Sequence, residues 1–156
     1  MAVPRPLLGA AAGFLATIPM TAVMTALYPL LPAGQQYPLP PSQITARATA
    51  EVGVQHDIDP DEHRALALLN HFGFGTVSGA LFAPLARLVP LSPALSGIVW
   101  GLLVWLSSYM GWVPALGVLP KASHEPRGRN VLMIGAHIVW GVSLGILVKR
   151  FDRYAE

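Results

Sequence analysis

His71-Phe72-Gly73-Phe74-Gly75-Thr76-Val77-Ser78-Gly79 returns 66 residues later as His137-Ile138-Val139-Trp140-Gly141-Val142-Ser143-Leu144-Gly145. Both stretches read His-x3-Gly-x3-Gly, and both lie inside long apolar runs. Residues at i, i+4 and i+8 share one face of a helix. Each stretch therefore predicts a helix with one imidazole followed by two patches of bare backbone.

The solvent for these helices follows from composition. Of 156 residues, 53% are hydrophobic and only 12% are charged. A soluble domain carries about 25% charged residues. So short and apolar a chain cannot cover its surface with polar groups, which makes lipid the expected surroundings. A net charge of +2 is too small to point to nucleic acid. The absence of cysteine excludes disulfides, thiolate metal sites and thiol catalysis.

Working outward from the two stretches, four runs reach the roughly 20 residues that a spanning helix needs. They cover about 6–31, 61–88, 94–118 and 130–148. The first is longer than the roughly 7–15-residue apolar core of a signal peptide and reads as an uncleaved span. Pro19 is expected to kink it. The 32–62 connection holds a short helix at about 42–52, capped by Ser42 and ended by Gly53, read as interfacial, lying on the membrane surface or over the bundle. Its expected face is Ile44, Ala48 and Val52. Asp59-Pro60-Asp61-Glu62 is a helix start with Asp59 as cap. Pro114 is expected to bend the end of span three. The predicted fold is all-α: one integral membrane domain over 1–156, a bundle of four transmembrane helices made of two helical hairpins.

A shift of 88 residues lays span three on span one, Gly9 and Gly13 falling on Gly97 and Gly101. With the 66-residue shift, this predicts two parallel repeats, the first longer by 22 residues. His71 and His137 then sit at one depth, about 10 Å into their helices at 1.5 Å per residue. Gly9, Gly13, Gly75, Gly79, Gly97, Gly101, Gly141 and Gly145 are the expected packing faces. Thr17, Thr21 and Thr25 extend the first of them. Arg and Lys divide five against five between the two sides, so orientation rests on the acidic linker and basic tail, which favour cytoplasmic termini.

Four phrases carry a resemblance: Pro19-Met20-Thr21, Tyr37-Pro38-Leu39-Pro40-Pro41, Gly111-Trp112-Val113-Pro114-Ala115-Leu116-Gly117 and Ala136-His137-Ile138-Val139-Trp140-Gly141. Together they resemble a family of small, uncharacterised bacterial inner-membrane proteins, loosely YagU-like. The resemblance implies a bacterial inner membrane and carries over no activity and no catalytic residues.

The residues themselves offer three functional expectations. The first is non-enzymatic: a scaffold or accessory subunit packing through its glycine faces in a homo-oligomer or larger membrane complex. It predicts no polar cavity. The second is a small transporter, channel or proton-handling protein with His71 and His137 on its path, which predicts a water-accessible cavity between spans two and four. The third is an electron carrier with a b-type haem, His71 and His137 as axial ligands. The neighbouring glycines would leave room for the macrocycle, with Arg64 or Arg129 at its propionates. Against both of these, each histidine would simply hydrogen-bond across a helix interface, to Asn70 or Ser143. His56, Asp57 and His63, with His124 and Glu125, are the weak metal candidates. No nucleophile–base–orienter set is visible. Ser107-Ser108-Tyr109 reads as interhelical hydrogen bonding, and the span-three aromatics as an interface belt.

Overall fold

The computed structural model describes residues 3–155, with side chains through Arg153. Helix starts follow local chemistry. Helix α1 (Arg5–Leu27) begins at a proline-bearing first turn and carries Pro19 without interruption. Helix α3 (Pro60–Leu85) begins at the expected capping box: Asp59 accepts from the Asp61 and Glu62 backbone N–H groups, and Glu62 accepts from Asp59 N. Helix α4 (Pro93–Leu106) is capped by Ser92.

Helix α2 (Pro40–Glu51) departs from expectation at its start and on its buried face. Pro40 and Pro41 occupy the first turn, where a fixed φ suits the helix and no N–H is needed. The helix thus begins before Ser42, whose hydroxyl meets His63 Nε2 at 3.0 Å instead. Pro40 and Thr45 are buried while Val52 is 71% exposed. Thr45 decides this face because it accepts a hydrogen bond from Asn70 Nδ2 at 3.0 Å.

Span three is α4, a wide π-helical turn at Ser107–Trp112, and one further turn, α5 (Val113–Ala115). The break falls at Gly111 (φ −112°, ψ −110°). Pro114 has no N–H for the Met110 carbonyl and crowds it, so the helix must open just before it. Helix α6 (Arg127–Ala155) is longer than the expected 130–148 at both ends. Two of its charges, Arg129 and Asp152, are held by protein groups. Arg129 donates to the Gln35, Tyr37 and Pro38 carbonyls and to Glu125, and Asp152 pairs with Arg5.

Among the described residues the chain is entirely helical, and four helices are long and apolar enough to cross a membrane. It is a multi-pass membrane protein. The Arg5–Asp152 pair shows that α1 begins on the side where α6 ends. Helix α1 packs on α3 and α6, and α6 also packs on α4, whereas α3 and α4 scarcely touch. The central seam buries Ala12, Ala16, Met20, Ala136, Trp140 and Leu144.

All eight predicted packing glycines face a neighbouring helix of the same chain. A Cβ on Gly13 would overlap the Gly75 carbonyl, and one on Gly97 the Gly141 carbonyl. Gly13 meets Gly75 and Gly79 as Gly97 meets Gly141 and Gly145. The contacts of the two hairpins therefore superpose at an offset of 84, from Gly13 to Gly97, rather than 88. Small residues every four positions make a one-turn slip nearly invisible in sequence; backbone contact fixes it. Thr17 continues the stripe against Gly75, while Thr25 is exposed.

Candidate functional cavity

Because α3 and α4 diverge, the bundle leaves a cavity of about 240 Å³ in the half nearer α2. Both histidines line it. His71 lies eleven residues beyond Pro60 and His137 ten beyond Arg127, or about 15 Å along each helix at 1.5 Å per residue. They are deeper than expected because α6 begins three residues before 130 and because the depth of His71 runs from the capped start of α3 at Pro60. Thr17, Met20 and Met24 of α1 form one wall, Met133 and Trp140 of α6 another. Pro40, Pro41 and Ile44 of α2 form the roof.

Neither histidine makes the expected bond across a helix interface. His137 Nδ1 is 2.7 Å from Met133 O on its own helix. A carbonyl only accepts, so Nδ1 carries the proton and Nε2 presents a lone pair. His71 Nε2 is buried with no partner, and so is Ser108 Oγ. Asn70 is committed to Thr45, and Ser107 donates to Val104 O of its own helix at 3.2 Å. An orphaned polar atom costs about 1–3 kcal/mol, so a site retaining two of them is suited to a ligand that completes their bonds.

Span three adds what sequence reading assigned to the membrane interface. Tyr109 and Trp112 line the cavity. Tyr109 stands edge-on to His137 with ring centroids 6.0 Å apart, and its hydroxyl meets Met133 Sδ at 3.8 Å. Trp112 meets Phe74 across the cleft at 6.1 Å. The π turn rotates Ser108, Tyr109 and Trp112 inward, and nothing short of that turn marks them. Met20 and Met24, four apart on α1, were a readable signal: one helical face with two adaptable side chains.

Of the groups proposed for haem, the two histidines share the cavity, but the glycines and arginines do not join them. Gly75 and Gly79 are filled by α1, and Gly141 and Gly145 by α4, which leaves no slot for a macrocycle beside them. The Arg129 guanidinium stacks on the Tyr37 ring at 3.6 Å and commits four of its five N–H groups to three carbonyls and Glu125. Arg64 pairs with Asp61 at 3.1 Å in solvent. Among the described residues no three His, Asp or Glu side chains gather as a metal site. His56 faces Gln55 and His63 faces Ser42, while Glu125 is engaged by Tyr37 and Arg129. Burial pushes the Tyr37 hydroxyl above its ordinary pKa, and its bond to Glu125 adds to the rise.

No curated protein and no solved structure matches the chain. A family described as "Protein of unknown function (DUF1440)" matches residues 29–146, which takes in α2, α3, α4 and most of α6. With three quarters of its length inside that match, the chain belongs to this family.

Proposed function

We propose that the protein is a small-molecule carrier of the membrane, holding its ligand in the cavity between α3 and α6 against His71, Ser108 and His137. The observation that carries this reading is the pair of unpartnered buried atoms, His71 Nε2 and Ser108 Oγ, in one cavity of about 240 Å³. A pure scaffold has no use for such a void, and its glycine faces are already consumed within the chain. The work is binding and passage. No carboxylate lines the cavity to orient an imidazole as a catalytic base. The resemblance to inner-membrane proteins and the basic end of α6 support a cytoplasmic-membrane location with both termini inside.

The test uses the absence of native cysteine. Ser108→Cys places a single thiol in the cavity, and Ala136→Cys places one in the sealed core, where Ala136 is 0% exposed. N-ethylmaleimide is expected to label the first in the folded protein and spare the second. Equal resistance of both thiols would mean that no ligand reaches the site and would sink the proposal.

A further inference from the structure

The cavity also indicates what kind of molecule it takes and from where; this rests on the carrier reading above. Among the described residues no Asp, Glu, Lys or Arg lines it. An ion there would be buried without a counter-charge, at a cost far above that of a neutral group. Its walls are mostly aliphatic, aromatic and thioether, with the Met20, Met24 and Met133 side chains able to adapt to an irregular shape. Most of its polar side chains are already engaged, Thr17 with Gly13 O, Asn70 with Thr45, Tyr109 with Met133 Sδ and Trp140 with Gly13 O. That leaves the His137 Nε2 lone pair, the His71 ring and the Ser78 and Ser108 hydroxyls to meet a ligand. Small-molecule sites run from about 300 to 1,000 Å³, so this one suits a single ring or a short chain.

The way in is equally marked. Among the lining residues only Asn70, Phe74 and Trp112 are exposed, and all three lie on α3 or the π turn. On the termini side of that edge, Trp100 Nε1 donates to Ser78 O at 3.2 Å and its ring packs on Phe82, closing α4 onto α3. Above it, the Asn70–Thr45 bond pins the roof. Between these two fastenings the Phe74–Trp112 ring contact bridges the cleft. The rings are 43% and 44% exposed. Val77, Leu81, Leu103 and Leu106 flank them with exposed apolar side chains, a surface for hydrocarbon and not for water. The break at Gly111 adjoins Trp112 and gives its ring a backbone point about which to swing.

We infer that the ligand is a neutral, lipid-dissolved amphiphile with a hydroxyl or carbonyl head. It enters sideways from the bilayer through a window between α3 and the π turn, gated by Phe74 and Trp112.

The experiment follows the Ser108→Cys thiol in lipid nanodiscs, where both membrane faces are open to water. N-phenylmaleimide is the lipophilic probe and a trimethylammonium-bearing methanethiosulfonate the charged one. Each rate is normalised to Ser123→Cys, an exposed position between α5 and α6. The normalised lipophilic rate is expected to exceed the charged one at least tenfold. Trp112→Ala should raise the lipophilic rate several-fold and Phe74→Trp should lower it. Phenol should protect the thiol, and benzenesulfonate, the same ring with a charge, should not. Equal normalised rates would place the route in water and overturn the window while leaving the cavity occupied. Indifference to both gate substitutions would overturn the gate, and equal protection by benzenesulfonate would overturn the neutral ligand. A thiol inert to both probes would overturn the carrier reading itself.

Discussion

One methyl group, added at two glycines of the second hairpin, should move stability in opposite directions. At Gly97 a new Cβ lands on the Gly141 carbonyl, with the carbonyl carbon 2.8 Å away and Gly145 N at 3.1 Å. The carbonyl oxygen lies nearer still, so α4 and α6 must part by more than the 0.6 Å between 2.8 Å and ordinary contact at 3.4 Å. A gap of about 0.5–1 Å forfeits roughly a quarter to a half of the dispersion well along the seam. Helix α4 has no second broad interface to fall back on, because it scarcely touches α3. Overpacking of this kind costs about 1–3 kcal/mol. At Gly135 a Cβ meets nothing within 4 Å. There the change only removes a flexible residue from a helix interior, a gain of about 0.5–1 kcal/mol. At about 2–4 °C per kcal/mol for a chain of this size, Gly97→Ala should lower the melting temperature by about 4–8 °C at mid-range cost. Gly135→Ala should raise it by about 1–4 °C by the same conversion. Tryptophan fluorescence during heating in detergent reads both, with four native tryptophans as reporters. A Gly97→Ala protein as stable as Gly135→Ala would refute the claim that backbone contact at these glycines holds the hairpin.

Four further outcomes follow from particular contacts. Arg129→Met leaves the Gln35, Tyr37 and Pro38 carbonyls and Glu125 without their donor; it should cost about 3–5 kcal/mol, and Arg129→Lys should fail to restore it because an ammonium cannot span the fork, both read by thermal unfolding. The raised Tyr37 pKa means that the neutral hydroxyl is the form favoured by folding; its stabilisation is full below the ordinary tyrosine pKa of about 10 and fades as pH climbs through the higher folded value, so Tyr37→Phe should flatten the alkaline limb of a stability–pH curve. Asn70→Leu removes a bond that pins α2 over the cavity and should raise the labelling rate of the Ser108→Cys thiol several-fold; an unchanged rate would show that this bond does not hold the roof closed. The purified protein, oxidised or reduced, should show no Soret band, since the glycines that would admit a macrocycle are filled by helices; a Soret band lost in both His71→Ala and His137→Ala would reverse that.

The architecture was legible because its causes are local and repetitive. Low charge and four long apolar runs leave lipid as the only tolerable surroundings. Asp59 through Glu62 names its own helix start, and His-x3-Gly-x3-Gly names the faces where helices close to backbone contact. These signals live within one or two turns of chain, so composition and spacing suffice to read them. Other features depend on which helices meet, and no local pattern encodes that. The one-turn register of the second hairpin, the inward turn of Ser108, Tyr109 and Trp112 at Gly111, and the capture of Arg129 by a loop some 90 residues away are all of this kind. The histidines divide along the same line. Their spacing gave their shared face, and the near-equal depth came from the repeat. That they line a cavity follows only from α3 and α4 standing apart while both lean on the central α1–α6 seam. A void is a property of several helices at once, and its contents are fixed by the atoms those helices leave without partners.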